Sequence, residues 1–297
     1  MEKSAYLGVI LLSVLMFSCV ENTSEEELIV EDAMLVKNST INSNAVHELL
    51  QSIPSPIETT NAIQKSGATF DVNLLNQVSS IDGYQSTYKK SVNLGVYGTD
   101  LGYLNLYNKT VTSFEYLDNI RRISDELKIG QFFDFTTLKR LASNKSNMDS
   151  IIDISTSGFE NMNNYLASQK RENVSTLILV GGWVESVYLL GKIAENSNKS
   201  DLKERIGEQK FALAQIVTLL EMYKDNDSYL TLYTKMKALE KTFEKVKITQ
   251  IYAEPETKEV NGMLVVVDNS RTIVEVPPPL FKQIMSEITD IRKELIK

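Results

Sequence analysis

Between Asn44 and Val246 apolar residues recur at intervals of three and four, the spacing that gathers them on one face of an α-helix. The segment Asn44–Ser52 (NAVHELLQS) predicts a short helix stopped by Ile53-Pro54. Ser55-Pro56-Ile57-Glu58 then offers an N-cap Ser, a first-turn Pro and a Glu at the third position, the features of a capping box, so a second helix should start there and close near Gly67. A short turn is expected from Asp71, ahead of Asp82-Gly83. From Tyr84 to Ile129 the positions Leu101, Leu104, Val111, Phe114, Leu117, Ile120, Ile123 and Leu127 keep helical spacing and are interrupted only by glycines, which predicts one long helix or two joined at a kink. Further periodic stretches cover 136–144, 148–169, 172–196, 202–224 and 229–246, with polar breaks at Asn196-Ser197-Asn198 and Asp225-Asn226-Asp227. Helices of this length joined by short loops suit an antiparallel bundle. No fixed repeat of about 34 residues, the mark of a helical solenoid, is evident.

The period changes at Ile248. ITQIYAE, MLVVVDN and RTIVEV are short and β-branched, separated by a polar loop over 254–262 and a turn at Asp268-Asn269-Ser270, and Pro277-Pro278-Pro279 ends them. Leu280–Ile296 returns to amphipathic helical spacing. The expected fold is mainly α: a multi-helix antiparallel bundle with a small C-terminal β-hairpin or meander, over about 248–276, and a final helix. Its folded domain should span residues 43–297.

The first forty residues have a different character. Lys3 and Ser4 precede a 13-residue apolar run, Ala5–Phe17, well short of the roughly 20 residues that span a bilayer as a helix. Residues 1–18 therefore read as a signal peptide. Its end, Met16-Phe17-Ser18-Cys19, resembles a bacterial lipobox, with a small residue before the Cys although Met and Phe are not the preferred residues at their positions. The resemblance implies that Cys19 is diacylated and becomes the mature N-terminus. Each methylene buried in lipid contributes about 0.8 kcal/mol, so several acyl chains would form a stable membrane tether. Residues 19–42 crowd Glu21, Glu25, Glu26, Glu27, Glu31 and Asp32 together, the composition of a self-repelling, extended linker. Acidic residues soon after the Cys also resemble a surface-export signal, and Val20 rather than Asp after the Cys implies the outer membrane by the usual sorting pattern.

Composition narrows the chemistry. The 297 residues carry 31 Lys plus Arg against 39 Asp plus Glu, one His (His47) and one Cys (Cys19). An intrachain disulfide, a Cys-rich zinc site, a multi-His metal centre and a Cys-His dyad within the fold are thereby excluded, so no metal or cofactor is expected. A net charge of −8 without a Lys/Arg cluster disfavours nucleic acid as a partner. His47 is expected to face solvent at a helix start. What remains for a site is carboxylates, Lys, Tyr and hydroxyls.

Two glycine-rich places stand out on helical stretches. Gly95, Gly98 and Gly102 fall near one side of a helix, and Gly181-Gly182 precede the only Trp, Trp183. Glycine costs about 1 kcal/mol relative to Ala within a helix, so an offsetting role is expected: close packing of one helix on the other through Gly95, Gly98, Gly102, Gly181 and Gly182. Polar and aromatic groups stand beside them. Asp100, Tyr103 and Tyr107 share a helical face, as do Glu185 and Tyr188. If the helices meet, Tyr97, Asp100, Tyr103, Trp183, Glu185 and Tyr188 form a candidate ligand pocket. Asp100 and Glu185 would serve a glycan hydrolase if they faced one another across a cleft at roughly 5 to 9.5 Å.

The segments Ile53-Pro54-Ser55-Pro56-Ile57-Glu58, Leu94–Leu101 (LGVYGTDL) and Gly181–Glu185 (GGWVE) together resemble a family of uncharacterised Gram-negative lipoproteins of Bacteroidetes type. The resemblance implies a lipoprotein and no particular activity. The expected role is a lipid-anchored cell-envelope protein of the outer membrane, on its periplasmic or outer face. It would act as a non-catalytic binding or structural module, its partner being a small ligand or an envelope protein. That protein could be recruited by addition to a strand edge. The carboxylate-dependent glycan hydrolase is the alternative.

Overall fold

In the computed structural model the described residues are 42–54, 62–63, 66–142, 148–195, 200–260, 263–267 and 269–297. The signal peptide, Cys19, the acidic linker, the Ser55–Glu58 capping box and the break at 196–198 lie outside them. Nine α-helices of eight residues or more occur among the described residues: α1 (Ser43–Ser52), α2 (Thr87–Leu106), α3 (Thr110–Glu126), α4 (Phe135–Ala142), α5 (Met148–Ser168), α6 (Glu172–Glu195), α7 (Ser200–Glu221), α8 (Asp227–Phe243) and α9 (Pro278–Leu295). The fold is a helical bundle with a C-terminal β segment and a closing helix, as the periodicity predicts.

Helix α6 is the centre of the bundle. Residues 173–187 are buried without interruption, and α2, α5, α7 and α9 all pack on it. Its composition follows from that position, because a helix with neighbours on every side has no polar face to keep. By length and composition α6 could cross a membrane (mean hydropathy 1.5), but 94% of that window is buried inside the fold, so the apolar run is accounted for by the core. The closest partner is α2, which is equally buried around most of its circumference.

The stretch 84–129 resolves into two helices. The glycines sit inside the continuous helix α2, and the chain turns instead at Tyr107-Asn108-Lys109, where Asn108 adopts the left-handed conformation (φ 54°) that Asn tolerates better than most residues. Capping chemistry sets several starts: Asn42 accepts from Asn44 and Ala45 N–H groups at α1, Ser86 from Lys89 N–H at α2, and Asn226 from Ser228 N–H at α8. At α9, Pro277-Pro278-Pro279 supplies Pro to the first turn, where its missing N–H costs nothing.

The β segment is a two-stranded ribbon rather than a three-stranded meander. Strand β1 (Lys247–Ile251) pairs antiparallel with β4 (Arg271–Glu275), and β2 (Glu256–Val260) with β3 (Met263–Val267). The register passes from Ile251↔Arg271 to Glu256↔Val267, so one arm carries an extra residue at the interruption. Ser270 Oγ bridges the gap, accepting from Ala253 N–H and donating to Ala253 C=O. Strand β2 falls in the stretch expected to be a polar loop; Glu256, Lys258 and Glu259 hide a strand whose two faces both meet solvent. The ribbon is anchored at its base, where Val274 is buried and Val274 and Val276 close over Gly207 of α7.

Candidate functional site

The two glycine segments touch. A β-carbon on Gly95 would overlap the Ile178 carbonyl oxygen and stand 2.6 Å from Gly182 N, and one on Gly181 would overlap the Val92 carbonyl oxygen. Neither approach leaves room for a methyl group. Thr99 Oγ1 fastens the crossing, donating to Gly95 C=O or to Gly182 C=O, 3.1 and 3.2 Å away. Gly98 has a different setting: nothing lies within 4 Å of where its β-carbon would be.

On one side of α2 the crossing encloses a polar cluster. Asp100 and Glu185 are both fully buried, and Arg292 of α9 grips Glu185 with two hydrogen bonds, Nε to Oε2 at 2.6 Å and Nη2 to Oε1 at 2.7 Å. Burial opposes the charge on Arg292, but the Glu185 carboxylate outweighs it and raises its pKa. Asp100 is held well above the usual carboxylate range by burial first and by the Glu185 charge second, with Arg292 opposing. Its Oδ2 accepts from Asn76 N–H at 3.0 Å. Its Oδ1 meets no donor among the described residues, and its burial beside the Glu185 carboxylate favours the protonated form of Asp100. Around it, Tyr116 Oη donates to Asn76 C=O, Asn76 Nδ2 to Tyr84 Oη, and Tyr84 Oη to Ile296 C=O.

This arrangement corrects the expected pocket. Tyr97, Asp100, Tyr103, Trp183 and Glu185 are at most 1% exposed, and only Tyr188 is half-buried. Tyr97 Oη donates to Gln77 C=O, Tyr103 Oη accepts from Asp71 N–H, and Trp183 Nε1 donates to Gln209 of α7. Tyr188 lies under the Arg292 guanidinium, 4.1 Å from its ring centre. Asp100 and Glu185 do converge, but no cleft separates them for a sugar and Arg292 occupies the second carboxylate. The geometry does not serve glycoside hydrolysis, which needs two accessible carboxyls facing a substrate. What these residues do is find partners elsewhere in the core, Asp100 Oδ1 excepted.

The open space lies on the other face of α2. A cavity of about 700 Å³ has Gly98 and Gly102 of α2 and Gly182 of α6 in its lining, with Leu94, Leu101 and Ile178 beside them. Its remaining walls come from α3 (Leu117, Ile120), α4 (Leu138), α5 (Phe159, Asn163) and α1 (His47, Leu50). The volume is within the usual range for small-molecule sites, as is the mostly apolar lining with few polar groups. Its lining also includes the exposed Gln51, Pro54, Thr156 and Glu160.

Two polar residues of this cavity were not legible as site residues. His47 is half-buried on its wall rather than facing solvent at large. Asn163 is 7% exposed and its Oδ1 has no hydrogen-bond partner. The signal for Asn163 was present, since it follows Phe159 by four residues and precedes Leu166 by three, a polar residue on an apolar stripe. Arg292 stands likewise on the stripe of Met285, Ile288 and Leu295. No group of three or more His, Cys, Asp or Glu side chains suited to a metal occurs among the described residues. Comparison with protein-family models, with curated proteins and with solved structures finds no match to this chain.

Proposed function

We propose that this chain is a lipid-anchored protein of the cell envelope, placed at the outer membrane through Cys19, and that its helical domain is a non-catalytic binding module. The observation that carries the second part is the 700 Å³ cavity over Gly98. An occupant would remove its mostly apolar walls from water, which is favourable in proportion to the area covered. The tether is supported by the apolar run of 13 residues ending at the only Cys, and the acidic stretch after it would hold the domain off the membrane.

Both parts have direct tests. A neutral fluorescent probe such as N-phenyl-1-naphthylamine should bind the wild-type protein and fail to bind Gly98→Phe, whose ring would fill the cavity while the unfolding midpoint stays near that of wild type. Equal binding by both proteins would place the probe elsewhere and remove the cavity from the reading. In cells, Cys19→Ser should abolish acyl labelling and move the protein out of the membrane fraction; retention of both would refute the anchor.

A further inference from the structure

We infer that the outer arm of the ribbon is a dimerisation arm: the free edge of β3 pairs antiparallel with β3 of a second copy of this chain, giving a four-stranded sheet in the order β2-β3-β3-β2. The strand offers what such pairing needs. Met263–Val267 (MLVVV) is five uncharged residues with neither Pro nor Gly. Among the described residues its one strand neighbour is β2, so alternate residues along it turn their N–H and C=O groups away from any strand. Met263, Leu264 and Val266 are 67%, 78% and 70% exposed. The base of the ribbon is held against α7, but β2 and β3 extend past it with solvent on both faces. Two strands in that position are marginal in water, and further strands stabilise them.

Self-complementarity selects the second copy as the partner. With the two strands fully overlapped about a two-fold axis, Val265 meets Val265 of the second copy, Leu264 meets its Val266 and Met263 its Val267. Every cross-strand pair is then apolar, and no charge faces its like. The β2 edge does not allow this, because the same overlap would set Lys258 directly against Lys258 of the second copy. In the four-stranded sheet the two β2 strands lie outermost and present Glu256, Lys258 and Glu259. Charged edge strands resist further pairing, so the assembly closes at two instead of growing into a fibre.

A lipid surface fits the same strand less well. Sinking β3 into hydrocarbon would leave its outward N–H and C=O groups without partners, and would draw the charged side chains of the adjoining β2 toward the lipid with it. A second β3 satisfies those backbone groups and leaves the charges in water. Two five-residue strands are a small contact beside the roughly 1,200–2,000 Å² of a standard stable interface, so the dimer should be weak and concentration-dependent.

Cross-linking tests the register, which non-specific adhesion lacks. Cys19→Ser removes the only thiol of the chain, and Val265→Cys or Val266→Cys then introduces a single one. Opposed residues of an antiparallel pair have Cα atoms about 4.5–5.5 Å apart, within disulfide reach, whereas Val266 of the two copies would be about 8 Å apart, beyond it. In a glutathione redox buffer Val265→Cys should therefore form the intermolecular disulfide at least tenfold faster than Val266→Cys, although Val266 is the more exposed, 70% against 41%. Sedimentation velocity of the Cys19→Ser protein from about 10 µM to about 1 mM should show a dimer fraction that grows with concentration, the range expected of a small interface. Val265→Glu should abolish it, since the new carboxylate faces Lys258 across its own hairpin but meets its like at the two-fold axis. Equal or reversed cross-linking rates, a monomer at every concentration, or association that survives Val265→Glu would each overturn the inference. Monomers that bind phosphatidylethanolamine vesicles, and lose that binding in Val265→Glu, would overturn it in favour of lipid.

Discussion

Asp100 is a carboxyl group in full burial, an environment its type seldom occupies. Zero exposure and the neighbouring Glu185 charge keep its carboxyl protonated well above the ordinary range, so the folded chain holds a proton that the unfolded chain releases. That contribution is complete below the unfolded carboxylate value of about 3.9 and declines as pH rises from there through the raised folded value. Asparagine reproduces the neutral acid, its oxygen accepting from Asn76 N–H and its amide donating toward Glu185. Asp100→Asn should therefore become progressively more stable relative to wild type as pH rises above 4, by up to about 1.4 kcal/mol per pH unit inside that window. Urea midpoints of the two proteins at pH 5, 6, 7 and 8 check this; a constant difference would mean that Asp100 is ionised in the fold. The convergence of Asp100 with Glu185 was foreseeable from their helical faces and the glycines beside them. Its burial was not, because Arg292, the group that neutralises Glu185, arrives from 107 residues further along the chain.

At the level of elements, the crossing of α2 and α6 separates two uses of glycine that look identical in sequence. Gly95 and Gly181 exist so that backbone meets backbone, whereas Gly98 exposes an empty face. Gly95→Ala should destabilise by about 1–3 kcal/mol or more, since the helices must part to admit the methyl. Gly98→Ala meets no atom and gains helix propensity, so it should stabilise by about 0.5–1 kcal/mol. Thermal and urea unfolding of the two variants give opposite signs if this assignment holds, and like signs if it does not. Helix spans were legible from their three-to-four period where a helix buries one stripe, as α9 does, and from a long apolar run where, as in α6, it is buried all round. The ribbon was only half legible: β3 and β4 show β-branched runs, but β2 reads Glu-Thr-Lys-Glu-Val and projects beyond the core, where burial imposes no alternation. Of the two readings for 84–129, one long helix or two joined at a kink, the second holds: α2 runs unbroken through its glycines and the chain turns at Asn108, which tolerates a positive φ.

Across the whole molecule, the last helix holds the first helices in place. Arg292 reaches Glu185 and the Leu74 carbonyl, Asn93 Nδ2 donates to the Leu295 carbonyl, and Tyr84 Oη donates to Ile296 C=O. Ending the chain at Pro277 would remove these together with the apolar stripe of Phe281, Ile284, Met285 and Ile288. Leaving Glu185 buried without its partner alone costs about 3–5 kcal/mol, of the order of a small domain's whole stability. The shortened chain should keep helical circular dichroism, lose a cooperative unfolding transition and be cut rapidly by a non-specific protease; a sharp transition and protease resistance would show that α9 is dispensable. There is a temporal side to this dependence. The Tyr84 and Ile296 groups that join are 212 positions apart, so their encounter requires closing nearly the longest loop the folded domain allows. A nascent chain cannot finish its core from the front while its final helix is still being synthesised. The core of the domain is therefore completed only once residues 278–296 are present to meet the groups they hold.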